Sequence, residues 1–103
     1  MAEIGVFGIN GRLVSSKKER RRVAENNKRA LRVGQTANLS LTDWALRLAQ
    51  FQFTCAYCGE PYTSMDHIVP LANGGGTTFM NVVPCCAKCN AVKGEAVWLP
   101  ARV

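Results

Sequence analysis

The sequence predicts a small α+β fold, and three observations indicate it. The chain has 103 residues, the length of one domain, and 48% of them are hydrophobic, which is typical of a folded chain. Apolar residues recur at helical spacing in the first half, and a last helix is expected near the end. Between these helices, two cysteine pairs enclose extended pieces and turns, and so small a core usually needs such a staple.

The first element is open to two interpretations. Residues 4–14 place Asn10-Gly11 between short apolar stretches, the common signal of a tight hairpin. The glycines of this segment weaken any strand, so a loose terminus is the alternative. The segment resembles no secretory signal, and no apolar run approaches membrane-spanning length. We therefore expect a cytoplasmic protein without a membrane partner.

A helix rich in basic residues is expected next. Ser16-Lys17-Lys18-Glu19 has the pattern of a capping box, so the helix should begin there, run to about Arg32 and stop near Gly34. Its apolar residues are too few to bury a wide face, which predicts a surface helix. The sequence thus predicts a basic arm over residues 1–38 and a cysteine-containing domain over residues 39–103.

Positive charge is concentrated in this arm. The formal net charge is +6, and nine of the 13 Lys and Arg residues precede residue 33. Such a charge favours a polyanionic partner, since neutralising phosphates releases counterions, although a solvated helix face is the alternative. The expected nucleic-acid-binding residues are Lys17, Lys18, Arg20, Arg21, Arg22, Lys28, Arg29 and Arg32. Contacts of this type to duplex DNA carry little sequence information, so low sequence specificity is expected.

A second helix is predicted after a polar break. Ser40 or Thr42 can cap it, and Trp44, Leu48 and Phe51 recur within it at helical spacing. A stripe of this kind is more typical of a core-facing side than of a platform for stacking bases. The helix should therefore pack against the cysteine-containing half.

A third helix and a glycine-rich loop complete the elements. The helix should begin near Ala87, run toward Trp98 and end at Pro100. Residues 73–76 read Asn-Gly-Gly-Gly and are expected to form a flexible loop.

Two C-x2-C pairs, Cys55/Cys58 and Cys86/Cys89, predict a structural zinc site. Each pair can offer two thiolates to one tetrahedral ion. The 27 residues between the pairs exceed the common zinc spacing, which suggests that a functional element lies between them. Cys85 competes with Cys86, but the two-residue gap to Cys89 favours Cys86. A redox dithiol is the alternative, although it needs only one pair.

Polar residues between and after the cysteine pairs predict a hydrolytic site. Asp66 precedes His67, the only histidine, and strand neighbours can serve different partners, here a metal and a water. Asn81 follows the glycine loop, and Asn90 lies three residues before Lys93 on the last helix. Together they supply two oxygen ligands, a base and an amide, as metal-assisted phosphodiester hydrolysis requires. Lys93 would stabilise charge on a phosphate oxygen.

The ordered motifs of residues 55–94 resemble the zinc-containing HNH endonucleases. They are CxxC, DHIVPL, NGG, NVVPxC, CxxCN and KG. The resemblance implies the ββα-metal fold and single-metal DNA hydrolysis that leaves a 5′ phosphate and a 3′ hydroxyl. It also implies His67 as general base, Asp66 and Asn90 as ligands of the catalytic ion, and Asn81 as the residue that orients the base.

The third position of the motif is Asn90 in this chain rather than a histidine. A site of amide, carboxylate, water and phosphate oxygens favours Mg²⁺ or Mn²⁺ over softer transition metals. A histidine of ordinary pKa, near 6.5, would lose its function as a base below about pH 6.

Two other functions are compatible with parts of the sequence. One is a zinc-knuckle module that binds DNA or RNA without catalysis, which would leave Asp66, His67 and both asparagines without a role. The other is an accessory subunit of a larger protein such as a phage terminase, encoded by a phage in a bacterial host. The short length is compatible with the accessory subunit, but no feature of the sequence proves it.

Overall fold

The structure, a computed structural model, describes residues 6–9 and 12–100. A first antiparallel pair is formed by strands β1 (Val6–Ile9) and β2 (Arg12–Ser15). Helices α1 (Ser16–Arg32) and α2 (Leu41–Gln50) follow. A second antiparallel pair, β3 (Ser64–His67) with β4 (Val82–Cys85), precedes helix α3 (Ala87–Lys93). Two strands and a helix around the cysteines confirm the predicted fold class.

The pairing of β1 with β2 agrees with the hairpin interpretation of the first segment. The predicted turn at Asn10-Gly11 lies outside the described residues. Among the described residues, no helix has both the length and the apolar character needed to cross a membrane.

The main core joins α2 to the second strand pair. Trp44 and Leu48 are fully buried, and they share an apolar cluster with Met65 of β3 and Val82 of β4. Phe51 is also buried, so the predicted core-facing stripe of α2 is confirmed. Ser40 caps the helix, accepting from the backbone N–H of Asp43 at 3.0 Å. The cap and the stripe could both be predicted from the sequence because each depends only on local spacing.

Most residues of helix α1 are exposed, as expected of a surface helix, but one narrow face of it is buried. Val23 lies in the same apolar cluster as Trp44, and Ala30 is completely buried. The Glu19 carboxylate accepts hydrogen bonds from Trp44 Nε1 at 2.8 Å and from the Tyr62 hydroxyl at 2.9 Å. Polar anchoring therefore replaces the wide apolar face that the helix lacks. The division of the chain at residue 38 stays a prediction.

The glycine-rich segment is packed, which corrects the expected flexible loop. Gly75 is buried, and a Cβ atom there would lie 1.8 Å from the backbone oxygen of Val69. A Cβ atom on Gly76 would lie 2.7 Å from the backbone oxygen of Thr36. These glycines allow the backbone segments to approach closely, so they tighten the fold here.

Helix α3 is shorter than predicted. It ends at Lys93, because Gly94 has a φ of 54° and its N–H bonds to the backbone oxygen of Asn90. Residues 97–100 have no regular structure, so Pro100 does not end the helix. Trp98 instead packs edge-on against Tyr57, with 5.3 Å between ring centroids.

Candidate active site and metal centre

Four cysteine side chains converge into one cluster. The Sγ atoms of Cys55, Cys58, Cys86 and Cys89 all lie within 4.8 Å of one another. The Cys58 and Cys86 sulfurs are 3.6 Å apart, close to the roughly 3.8 Å expected for two thiolates that share a tetrahedral zinc ion. Cys86 also caps α3, since its sulfur accepts from the Cys89 N–H at 3.4 Å. The cluster could therefore hold a structural metal.

Cys85 is excluded from this cluster. Its side chain is fully buried, and its thiol donates to the backbone oxygen of Cys86 at 3.4 Å. Burial raises the pKa of Cys85 well above its usual range, so it remains a thiol. By contrast, backbone N–H groups offset burial at Cys55 and lower its pKa to about 7. The predicted choice of Cys86 over Cys85 agrees with this geometry.

A cleft of about 490 Å³ opens beside β3. Asp66 and His67, the last two residues of that strand, line it together with Asn90 and Lys93 from α3. The last turn of α1 contributes Arg29 to the lining. A strand end and two helices thus bring together carboxylate, imidazole, amide and cations.

Asp66 is held by two donors on one oxygen. Its Oδ2 accepts from the Tyr57 hydroxyl at 2.7 Å and lies 3.3 Å from Lys93 Nζ. Burial, and then the bond to Asp66, raises the pKa of Tyr57 above its usual range, so the hydroxyl stays a donor. Among the described residues, Oδ1 has no partner, and no unpartnered side-chain oxygen is fully buried. Oδ1 is therefore accessible to a ligand from the cleft.

His67 is almost buried, with 6% of its surface exposed. Its Nε2 lies 2.9 Å from the hydroxyl of Thr77, which in turn donates to the backbone oxygen of Asn26 at 2.8 Å. Burial lowers the pKa of His67 to about 4, and the positive charge of Arg29 acts in the same direction. The imidazole is therefore neutral across the physiological pH range.

The Asn81 side chain hydrogen-bonds to the backbone just after His67. Its Oδ1 accepts from the N–H of Val69 at 2.9 Å, and its Nδ2 donates to the backbone oxygens of Val69 and Gly76 at 3.0 and 2.8 Å. The amide therefore joins the segment just after β3 to the glycine segment.

Lys93 is buried, and its ammonium group makes internal contacts. Nζ donates to the backbone oxygen of His67 at 2.9 Å, beside its contact with Asp66. Its charge therefore acts mainly on the end of β3, whereas the sequence suggested a phosphate contact.

The cations of α1 fall into different environments. Arg29 and Arg32 are exposed and line the cleft. Arg22 instead pairs with Glu19 and donates to the backbone oxygen of Thr63 at 2.8 Å. Lys17 and Arg21 are exposed near the other end of the helix. Only part of the predicted basic set therefore faces the site.

The comparisons with known proteins agree with this arrangement. Residues 55–102 match the family model described as HNH endonuclease. This part of the chain belongs to the HNH endonuclease family. The HNH region spans the cysteine cluster, both strands of the second pair and α3.

The chain is also similar to a large curated endonuclease. It is 41% identical over 93 residues to the CRISPR-associated endonuclease Cas9 of Corynebacterium diphtheriae. The match covers 77% of this chain and 9% of that protein, so the chain spans about a tenth of its relative's length. Both comparisons support a nuclease.

Sequence reasoning missed two residues that touch the site. Tyr57 lies inside the first C-x2-C pair, where it reads as a spacer, yet its hydroxyl contacts Asp66. Thr77 follows the glycines and reads as a loop residue, yet it is fully buried against His67. Neither contact has a spacing signal, since each depends on how distant segments pack.

Proposed function

We propose that this protein is a metal-dependent endonuclease that hydrolyses phosphodiester bonds of duplex DNA with little intrinsic sequence preference. The observation that carries the proposal is the meeting of Asp66, His67 and Asn90 in one cleft of an HNH region. A neutral imidazole beside an oxygen-donor set is what metal-assisted hydrolysis of a phosphodiester requires.

Arg29 and Arg32 are proposed to bind the phosphates of the strand that enters the cleft. Both are exposed on the last turn of α1 and line the same cavity as His67. Backbone phosphates present no base identity, which accounts for the low sequence preference. The cations at the start of α1 would contact more distant phosphates, because about 12 residues of helix span roughly 18 Å.

Asp66 and Asn90 are proposed to hold the catalytic divalent ion. The fit rests on the free Oδ1 of Asp66, whose other oxygen is already fixed by Tyr57 and Lys93. Hard oxygen donors of this kind suit Mg²⁺ or Mn²⁺. When bound, the ion supplies a Lewis acid for the scissile phosphate and the leaving oxygen. Lys93 and Asn81 act as positioning residues in this proposal.

His67 is proposed to act as the general base. It takes a proton from a water, and the oxygen of that water forms a bond to phosphorus while the bond to the 3′ oxygen breaks. The 3′ oxygen then takes a proton from solvent, so the products carry a 5′ phosphate and a 3′ hydroxyl. The low pKa of His67 keeps the ring unprotonated and ready to accept.

The four-cysteine cluster is proposed to hold structural zinc. Its thiols are complete as a tetrahedral set without any contribution from the cleft. It would therefore stabilise the fold on which the cleft depends and take no part in the reaction.

The test is single-turnover cleavage of supercoiled plasmid by the full chain across Mg²⁺ and Mn²⁺ concentrations. His67→Ala should lose about 10²- to 10⁴-fold in rate at every metal concentration, because its proton acceptor is missing. Asp66→Ala and Asn90→Ala should recover part of their activity at high metal, since only a ligand is weakened. Lys88→Ala is the control, as Lys88 is exposed on α3 and lies outside the cleft lining.

Cleavage at the wild-type rate by His67→Ala would overturn the proposed mechanism. DNA binding without cleavage at any metal concentration would instead favour the non-catalytic zinc-knuckle module. The terminase partnership and the phage origin stay predictions, and no contact in the described residues favours either.

A further inference from the structure

The hydrogen bonds around Thr77 define which nitrogen of His67 carries its proton. The Thr77 hydroxyl has one hydrogen and two neighbours, the backbone oxygen of Asn26 at 2.8 Å and His67 Nε2 at 2.9 Å. A carbonyl oxygen can only accept, so the hydroxyl hydrogen must point to Asn26. The Thr77 oxygen is then left as an acceptor toward the imidazole.

The opposite arrangement is costly at this position. If Thr77 donated to His67, two oxygens would face each other at 2.8 Å without a hydrogen between them, in a site where Thr77 is fully buried. Buried polar groups without a donor between them lose the free energy of a hydrogen bond and repel each other. Rotation of the threonine is also restrained, because backbone bonds to Thr36 and Asn38 fix residue 77 on both sides.

We infer that Thr77 is a positioning residue that holds neutral His67 as the Nε2–H tautomer and leaves the Nδ1 lone pair as the proton acceptor. This inference rests on the proposed function of His67 as a base. Among the described residues, Nδ1 has no hydrogen-bond partner, and no unpartnered side-chain nitrogen is fully buried. Nδ1 therefore keeps contact with the cleft that His67 lines.

Helix α1 takes part in this positioning of His67. The hydrogen bonds from His67 to Thr77 and from Thr77 to the backbone oxygen of Asn26 form a relay that ends on α1. Asn26 is itself buried. When Nδ1 takes a proton, the Nε2–H bond to Thr77 remains, so the cationic ring keeps its orientation. A backbone carbonyl cannot titrate, which makes the relay independent of pH.

The direct test uses the fact that the chain contains one histidine. The zinc-loaded full chain is labelled with ¹⁵N-histidine, and the couplings between ring nitrogens and ring protons are recorded at neutral pH without magnesium. We expect Nε2 to appear protonated and Nδ1 unprotonated. A predominant Nδ1–H form, or an even mixture of tautomers, would overturn the inference whatever the nuclease activity.

Two substitutions of Thr77 separate positioning from packing. Thr77→Val removes the acceptor at nearly constant volume, so the Nε2–H preference should weaken and cleavage should fall about tenfold or more, since a wrong histidine tautomer costs up to about 10⁴-fold in a serine protease. Thr77→Ser keeps the hydroxyl and should retain both the tautomer and most of the activity. An unchanged tautomer and rate in a folded Thr77→Val would overturn the inference.

Isosteric changes of His67 give an independent readout by stability. Gln places its amide near Nε2 and can still donate to Thr77, whereas Asn places its amide near Nδ1. We expect both His67→Gln and His67→Asn to be inactive, with His67→Gln the more stable in thermal unfolding. Equal stability of the two, or greater stability of His67→Asn, would count against the relay. An active His67→Gln would overturn the proposed function and leave the tautomer measurement standing.

Discussion

The cysteine cluster and the cleft use the same helix in different ways. At the start of α3, the N-cap Cys86 and Cys89 join two other thiols, so the chain itself supplies a complete tetrahedral set. Further along α3, Asn90 faces a cleft in which Asp66 offers one free oxygen. A closed ligand set stabilises a fold, whereas an open one leaves positions for water and substrate. This difference supports the proposed structural role of the four-cysteine cluster and the proposed catalytic role of the cleft, and each role can be tested separately.

The largest expected effect is the loss of the four-cysteine cluster. Cys86→Ser should lose both metal and fold, because zinc supplies on the order of 10 kcal/mol of folding free energy in small zinc-organised peptides. Metal content and circular dichroism of the purified protein measure both outcomes. Cys85→Ser is the matched control, since the buried Cys85 thiol lies outside the cluster. Retention of zinc by the Cys86 variant and its loss from the Cys85 variant would reverse the ligand assignment.

The next effect concerns pH at the open site. The pKa of His67 is about 4 in the folded chain, below the ordinary value near 6.5, so the unfolded chain binds the proton more readily between these values. The lowered pKa of His67 therefore stabilises the folded chain. Its contribution to the free energy of unfolding is complete above pH 6.5 and is lost as pH falls toward 4. It amounts to roughly 3 kcal/mol. Chemical denaturation of wild type and His67→Gln across this range measures it as a difference.

His67→Gln serves as the control because it lacks the titrating ring but shares the cysteines. The same shift moves the acid loss of cleavage from about pH 6, expected for an ordinary histidine, toward lower pH. An NMR titration of the single histidine with a midpoint near 6.5 would contradict both expectations.

A smaller effect should follow from removing the contact that fixes Asp66. Tyr57→Phe loses the hydroxyl that donates to Asp66, and supporting contacts of this kind are worth about 10- to 100-fold in metal affinity. The Mg²⁺ dependence of cleavage should shift by that factor while zinc content stays constant. Tyr62→Phe is the matched control, because the Tyr62 hydroxyl bonds to Glu19. An equal shift in both variants would show that the Tyr57 hydroxyl has no specific effect on metal binding at Asp66.

The smallest effect should distinguish the two ends of α1. Replacing Arg29 and Arg32 by alanine should lower the log-log salt slope of DNA binding by about 0.9 for each lost phosphate contact, and it should also slow cleavage at saturating DNA. The same change at Lys17 and Arg21, which removes equal charge outside the cleft lining, should alter the slope without slowing cleavage. Identical effects of the two pairs would indicate that the basic helix attracts DNA by its charge alone, without a specific contact at the cleft.

The two sites also differ in how well the sequence predicts them. The cysteine cluster and the stripe of α2 depend on spacing within a few residues, so both were predicted. The contacts of Tyr57, Thr77 and Glu19 join segments that lie 9 to 51 residues apart, and no local pattern encodes them. The end of α3 was misplaced because Pro100 was weighted over Gly94, whose positive φ ends the helix earlier. Features that depend on local spacing were therefore predicted better than contacts between distant segments.

The Glu19 carboxylate has a consequence for dividing this protein into parts. Besides Arg22 of the same helix, it bonds to Trp44 and Tyr62, which belong to the segment after residue 38. A fragment that starts at residue 39 would lose the Glu19 acceptor of the Trp44 indole N–H and the Asn26 oxygen that accepts from the Thr77 hydroxyl. A transfer of the segment after residue 38 into another protein should therefore include the basic helix, or supply a substitute carboxylate at the same place.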